Sequence, residues 1–238
     1  MASKDAKQGG PAGGHRQAKV RLKTAKQRSA SSQRWLERQL NDPYVAAARR
    51  EGYRSRAAYK VGEIAAKHRL FKVGMRVVDL GAAPGGWAQV AAERVRSAEG
   101  KGQVVAIDLL DMEPLPGVDF IQLDFLAPNA PGRLKAMLRD GVADIVLSDM
   151  AAQGTGHART DHLRIMGLAE AAAAFAIEVL APGGAFVCKV LQGGTERALL
   201  DGLKRAFTTV KHVKPPASRA ESAELYLVAT GFRPSAAG

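Results

Sequence analysis

The chain predicts an α/β protein built on a mostly parallel sheet with helices on both faces. Three observations carry that prediction. After Gly74, short apolar runs alternate with stretches of helical periodicity. The first apolar run ends in a glycine-rich turn that opens a helix, the arrangement in which α/β sheets bind ligands at the carboxyl ends of their strands. The last two apolar runs follow one another without a helix between them, so one is expected to run antiparallel as a hairpin partner.

The elements follow in order. Trp35, Leu36 and Leu40, then Tyr44, Val45 and Ala48, then Ala57, Tyr59, Val61, Ile64 and Ala65 before Leu70 and Phe71, recur at helical spacing and predict short helices leading into the sheet. Val77 to Leu80 reads as a strand, Trp87 to Ser97 as a helix, Val104 to Asp108 and Phe120 to Leu123 as strands, Arg133 to Leu138 as a helix and Asp144 to Leu147 as a strand. The alanine-rich Leu168 to Leu180 is a helix ended by Pro182-Gly183-Gly184. Ala185 to Val190 is then a strand, Glu196 to Phe207 a helix, and Val210 to Val213 and Leu225 to Ala229 the closing strands.

With 238 residues, the chain has room for one catalytic-size domain and an appendage. Residues 1–28 form the appendage: Lys4, Lys7, Arg16, Lys19, Arg21, Lys23, Lys26 and Arg28 face only Asp5, with no periodic apolar face, so a disordered basic tail is expected. A transit peptide shares that composition, but Gly9, Gly10, Gly13 and Gly14 and the lack of an amphipathic helical pattern favour an RNA-contacting tail. Residues 29–238 form the domain, with 29–73 a basic helical lead-in and 74–234 the sheet.

Across the chain 35 Lys and Arg oppose 23 Asp and Glu, for a formal charge of +12, while 46% of residues are hydrophobic. That surplus on a well-cored chain implies a polyanionic partner, nucleic acid first. Arg49, Arg50, Arg54, Arg56 and Lys60 keep the lead-in basic, either as a solvated helical face or as part of the substrate surface. The single cysteine, Cys188, excludes an internal disulfide framework and multi-cysteine metal sites and suits a reducing compartment. No apolar run approaches the roughly 20 residues of a spanning helix.

The turn Asp79-Leu80-Gly81-Ala82-Ala83-Pro84-Gly85-Gly86-Trp87 lets backbone approach a ligand, but it matches neither standard phosphate cradle. A dinucleotide turn needs G-x-G-x-x-G, and a P-loop needs Lys and Ser or Thr after its last glycine. S-adenosylmethionine, which brings no pyrophosphate, remains. Acids at later strand ends sharpen this: Asp108 at the distance from the turn that reaches ribose hydroxyls, Asp124 able to accept from an adenine amino group, and Asp149 near the sulfonium end. Singly, each is more often a cap or loop residue.

Ser29-Ala30-Ser31-Ser32-Gln33-Arg34-Trp35-Leu36, Arg54-Ser55-Arg56-Ala57-Ala58-Tyr59-Lys60, the glycine turn, Leu147-Ser148-Asp149-Met150-Ala151, Val187-Cys188-Lys189-Val190, and Ser218-Arg219 with Glu224-Leu225-Tyr226-Leu227-Val228-Ala229-Thr230-Gly231 resemble the FtsJ/RrmJ (RlmE) family of ribosomal RNA ribose 2′-O-methyltransferases. The resemblance runs from about Ser29 to Pro234. It implies a Rossmann-like methyltransferase fold with a mostly parallel seven-stranded sheet and one antiparallel strand, S-adenosylmethionine as donor without a metal, and a uridine of large-subunit rRNA in the 50S particle as acceptor. By position, it implies a catalytic set at Lys60, Asp149, Lys189 and Glu224 and donor contacts at Gly85, Trp87, Asp108, Asp124 and Asp149. The chain departs from the family at Ala152 and Gln153 after the fourth-strand motif, at Glu221 and Ala223 where basic residues are usual, and in a longer turn near Ser97 to Gly100.

The chemistry agrees with that set. A ribose hydroxyl is a poor nucleophile and needs a base, and a lysine can serve if burial or a neighbouring cation makes it give up its own proton. Lys189, in an otherwise apolar strand, is the candidate; Lys60 and Asp149 are expected to tune and orient it, and Glu224 to support. The plain alternative is that Lys60 and Glu224 form an ordinary ion pair. His157 and His162 lack the partners of a metal site, Cys188 alternates away from Lys189 toward the core, and Trp87 is as well explained by packing as by donor contact. A tRNA or cap methyltransferase and a non-catalytic ribosome-assembly factor remain as competing functions. A cytoplasmic monomer is the default.

Overall fold

The computed structural model describes residues 33, 36, 37, 39–152, 154, 156–193 and 197–234. The expected basic tail, and Trp35 of the first lead-in helix, lie outside them. Two helices precede the sheet, α1 (Pro43–Glu51) and α2 (Ala57–His68). There follow β1 (Arg76–Leu80), α3 (Gly86–Val95), β2 (Gln103–Asp108), β3 (Val118–Gln122), α4 (Ala130–Met137), β4 (Ala143–Ser148), α5 (Ala158–Val179), β5 (Leu180–Leu191), α6 (Arg197–Ala206), β6 (Phe207–Val213) and β7 (Glu224–Phe232).

The seven strands form one sheet in the order β3-β2-β1-β4-β5-β7-β6. Strands β1 to β5 pair in parallel, and β7 runs antiparallel to both β5 and β6. The closing strands do pair as expected. The unforeseen part is that β7 inserts between β5 and β6, leaving β6 at the edge. Helices α4, α5 and α6 pack on one face, where Leu134, Met166 and Leu203 are buried, and α2 and α3 pack on the other around Val61, Ile64, Val90 and Val95. Central strands covered on both faces need unbroken apolar runs, and Val77, Val78 and Leu80 are fully buried. The strand order reverses at β1, between β2 and β4, and opens the ligand crevice at their carboxyl ends.

Two elements outrun their sequence signal. Helix α5 begins ten residues before Leu168, because its first turns lie over solvent: Leu163 is exposed and of the early residues Met166 is the buried one, so no apolar period marks them. Strand β5 starts at Leu180, with an irregular register against β4 across Pro182-Gly183-Gly184. The long turn after α3 folds as a 3-10 turn, Ser97–Glu99.

The lead-in is locally well specified and docks tightly. Asp42 caps α1 by accepting from the Tyr44 amide at 3.0 Å, Pro43 sits in the first turn, and Gly52 closes the helix at φ +77°. Gly86, at the start of α3, is where α2's leading loop meets the sheet. A Cβ there would lie 2.3 Å from Ser55 Oγ and 3.3 Å from the Ala58 nitrogen. Glycine is required because the chain itself approaches closely.

This contact predicts a compensating pair. Gly86→Ala should cost about 1–3 kcal/mol by overpacking. Ser55→Ala alone should cost under about 0.5 kcal/mol, since Ser55 Oγ is buried without a hydrogen-bond partner. The double variant should regain most of the loss in urea unfolding; additive losses would mean that the Ser55 contact is not the cause.

Candidate active site

The glycine turn leaves β1 with Gly81 at φ +79° and Gly85 at φ +109°, a left-handed geometry that glycine adopts without strain. Small residues were expected there to admit a ligand, yet each glycine also admits the chain itself. A Cβ on Gly81 would meet Met150 at 2.8 Å, and one on Gly85 would meet Leu115, Arg54 and Met112. The turn hangs on the neighbouring strand, with the Gly81 and Ala82 amides donating to the Ile107 carbonyl at 2.9 and 3.1 Å.

The expected acids gather around it. Asp108 at the end of β2 accepts from the Ala83 amide at 2.8 Å and from Leu110 at 2.8 Å, so it pins the turn to β2. Asp124, exposed two residues past β3, accepts from the Leu126 amide at 2.9 Å. Beside these two acids Leu109, Leu110 and Leu126 are 63%, 66% and 58% exposed, an apolar surface the fold does not cover. Sequence reasoning quoted Asp79 but assigned it no role. It is fully buried on β1, and its carboxylate oxygens meet no full-strength hydrogen bond, with the Ala88 amide the nearest donor. Burial, then the charges of Asp149 and Asp108, push its pKa from 3.8 to about 8, and the Ala88 amide offsets part of the rise. Converging carboxylates suit a cation and repel a pyrophosphate.

The Trp87 indole does not line this crevice. It is 2% exposed, donates to the Ala57 carbonyl at 2.9 Å and lies 5.5 Å from the Tyr226 ring, so it packs α3 against α2 and supports Tyr226.

Across β1 from β2, the sheet brings Lys60, Asp149, Lys189 and Glu224 together. Lys189 on β5 is 6% exposed; its Nζ donates to the Asp149 backbone carbonyl at 2.7 Å and lies 3.3 Å from Asp149 Oδ1. Lys60 on α2 donates to Glu224 Oε2 at 2.9 Å, the ion pair of the plain alternative, and its Nζ also reaches Tyr226 OH at 3.1 Å. Tyr226 OH donates to Asp149 Oδ1 at 3.0 Å. The pair is therefore one end of a chain running Glu224, Lys60, Tyr226, Asp149, Lys189. Each lysine has its own carboxylate, with the tyrosine between the two halves.

Tyr226 is the member that sequence reasoning missed. It was findable: two residues after Glu224 on one strand, it shares Glu224's face. What was not findable is that it stands opposite Lys189 in the β5–β7 register. Burial, then the Asp149 charge, raises its pKa and keeps the hydroxyl a donor. Burial also works against the Glu224 carboxylate, but the Lys60 charge and hydrogen bond outweigh it, with help from Lys189 and Ser222, and hold its pKa below the ordinary value. Cys188 points to the opposite face as expected, with its thiol pushed up to about 12 by burial, so it stays protonated.

The lead-in cations divide. Arg49 and Arg50, in the last turn of α1, are exposed. The others turn inward: Arg54 donates to the carbonyls of Pro84, Glu113 and Pro114, and Arg56 donates to Asp42 and to the Ala217 carbonyl. A cleft of about 360 Å³ opens beside the Lys60–Glu224 pair, walled by Arg56 and Arg219. Of the loop after Asp149, Met150 packs against Gly81 and Ala152 is described, whereas Gln153 lies outside the described residues.

Asp79 gives a pH dependence. The unfolded chain ionises near 3.8, whereas the folded one holds the Asp79 proton to about 8, so the native state binds more protons between those values and loses stability as pH rises through them. The melting temperature of the wild type should fall more steeply between pH 5 and 8 than that of Asp79→Asn. Parallel curves would show that Asp79 is already ionised in the fold.

Comparison with known proteins fits this geometry. Residues 53–232 match the family model for FtsJ-like methyltransferases. The chain is 65% identical over 224 residues to the ribosomal RNA large subunit methyltransferase E of Xanthobacter autotrophicus, covering 94% of this chain and 87% of that one. It is 62% identical over 228 residues to the protein of the same name from Paramagnetospirillum magneticum, covering 95% and 93%. Among solved structures, a Plasmodium falciparum protein described as a ribosomal RNA methyltransferase superposes with a TM-score of 0.67 at 34% identity, covering 76% of this chain and 98% of that one. With a Rossmann-like methyltransferase sheet, a glycine turn ringed by acids and a family match over three quarters of its length, the chain belongs to the FtsJ-like methyltransferases.

Proposed function

We propose that the chain transfers a methyl group from S-adenosylmethionine to the ribose 2′-hydroxyl of a uridine in large-subunit ribosomal RNA, acting in the cytoplasm as a monomer on the 50S particle. The observation that carries the reading is the hydrogen-bonded chain from Glu224 to Lys189. It joins a buried lysine to an acid at the ligand crevice on one side and to a basic cleft on the other. The large-subunit acceptor is supported by relatives that share the name at over 60% identity across nearly their whole length. No helix among the described residues is long and apolar enough to cross a membrane.

The crevice fits the donor. S-adenosylmethionine, when bound, supplies a methyl carbon made electrophilic by a sulfonium. Asp108 and Asp149 suit its positive charges, the exposed Leu109, Leu110 and Leu126 suit a planar base, and Asp108 and Asp124 suit hydroxyl and amino donors. Gly85 contributes by letting the turn approach the ligand closely, and Trp87 through its backbone in the first turn of α3, where free N–H groups concentrate.

On the acceptor side, Lys189, once it has released its own proton and stands as the neutral amine, takes the proton of the 2′-hydroxyl as general base. The Asp149 carbonyl and carboxylate orient its nitrogen, and Tyr226 holds that carboxylate in place. Lys60, anchored by Glu224, presents a fixed positive charge beside the hydroxyl. Arginine cannot act as the base, because guanidinium stays protonated.

The test is methyl transfer to 50S particles from cells lacking the activity, with free rRNA and tRNA alongside and the product nucleoside identified by mass spectrometry. The expected product is 2′-O-methyluridine on the particle. Lys189→Arg should lower kcat at least about 100-fold, the scale of a lost general base, while the Kd for S-adenosylmethionine changes little. Tyr226→Phe should lower kcat by a smaller factor. Full activity in Lys189→Arg would remove the base assignment, and transfer to tRNA alone would change the acceptor.

A further inference from the structure

The loop after β2, residues 109–117, forms no helix or strand of its own, yet it carries Leu109 and Leu110, two of the exposed apolar residues at the crevice. Contacts with other segments fix its shape. At its near end the Leu110 amide donates to Asp108. At its far end Gly117, at φ +75°, lies so close to the turn after α3 that a Cβ would stand 2.3 Å from the Ala98 nitrogen. In its middle, Met112 and Leu115 press on Gly85 beside the Arg54 side chain, whose Cδ would lie 3.0 Å from a Gly85 Cβ. Arg54 directs its guanidinium at this loop. One terminal nitrogen donates to the Glu113 carbonyl at 2.5 Å and to the Pro84 carbonyl at 3.3 Å, and the other donates to the Pro114 carbonyl at 2.7 Å. The fork therefore grips two successive carbonyls of the loop and one of the glycine turn. Its backbone is held as well: the Arg54 amide donates to Gln89 Oε1 on α3 at 3.1 Å, and Gln89 Nε2 donates to the Gly52 carbonyl at 3.0 Å.

By sequence, Arg54 belongs with the lead-in cations that a polyanion attracts. Its hydrogen bonds point elsewhere, because all three go to neutral carbonyls on the donor side of the crevice. We propose that Arg54 is a positioning residue for S-adenosylmethionine: its guanidinium latches the loop after β2 onto the glycine turn and so fixes the surface that faces the nucleoside end of the donor. The inference rests on the donor reading and deepens it. Without the latch the loop keeps its two ends but loses the hold on its middle, and each donor-binding event must then order it again. A lysine is no substitute, since an ammonium is a point charge that cannot present two parallel N–H groups to successive carbonyls. Arg54 stands six residues before Lys60, so one short stretch of the lead-in shapes the donor site and supplies a member of the catalytic chain.

Three measurements on the full chain test this: calorimetric titration with S-adenosylmethionine, hydrogen exchange of residues 109–117 without donor, and methyl transfer to 50S particles at several KCl concentrations. Arg54→Lys, which keeps the charge, and Arg54→Gln should both raise the Kd for S-adenosylmethionine about tenfold, the scale of one charge-assisted hydrogen bond. Exchange across 109–117 should quicken in both, while β1 and β4 keep their wild-type protection. Leu115→Ala loosens the same loop from its apolar side with the arginine intact and should raise the same Kd; a wild-type Kd there would overturn the loop's role should neither arginine variant fold. A donor Kd within twofold of wild type in Arg54→Gln, or one restored by Arg54→Lys, would overturn the latch. So would a particle KM that rises with a shallower salt slope at an unchanged donor Kd, since that is the behaviour of a phosphate contact. Donor binding by the wild type reports on the donor reading and loop exchange reports on the latch without donor, so the two fail separately.

Discussion

The Tyr226 hydroxyl is the point on which the centre of this structure depends. It accepts from Lys60 on a helix and donates to Asp149 beyond a strand, and its ring rests on Trp87. A buried hydroxyl of this kind must be satisfied, and here both partners are ionisable groups of the candidate site. The tyrosine therefore sets the spacing between two carboxylate–lysine pairs that would otherwise be free to exchange partners. Its own position is set by the sheet, because β7 runs between β5 and β6 and lays Tyr226 across from Lys189.

The same economy governs the crevice. Glycines that would be credited to a ligand are also demanded by Met150, Leu115 and Ser55, so the turn is shaped before any ligand arrives. The acids follow suit: Asp108 ties down the turn while facing the crevice, and Asp79 is fully buried close to both Asp108 and Asp149. The low-dielectric corner and the neighbouring acids are what keep Asp79 protonated, so the fold avoids burying a third negative charge beside Asp108 and Asp149.

Charge in the lead-in is distributed by the same logic. Arg54 fastens the glycine turn to the loop after β2, and Arg56 and Arg219 converge on Asp42, joining α1, α2 and the β6–β7 loop. Glu63 completes that junction by accepting from the Ala217 amide at 2.8 Å. The basic residues thus build the walls of the cleft beside the Lys60–Glu224 pair, and lead-in and sheet act as one unit.

The amino-acid sequence alone determined the alternation of strands and helices, the first-strand glycine turn and the acids at strand ends. Those features are local, set by periodicity and turn chemistry, whereas the four proposed catalytic residues, scattered over distant segments, were legible only through the family resemblance. It also determined that Cys188 and Lys189 face opposite ways, since adjacent residues on a strand must. Tertiary structure decided what depends on which distant segments meet. The early turns of α5 carry no apolar period, because solvent covers one side of them. The insertion of β7 is a choice among pairings that alternation does not rank. The roles of Tyr226, Asp79 and Asp42 each arise from contacts between chain segments far apart in sequence, where burial and register, rather than residue type, decide whether a hydroxyl or a carboxylate finds a partner.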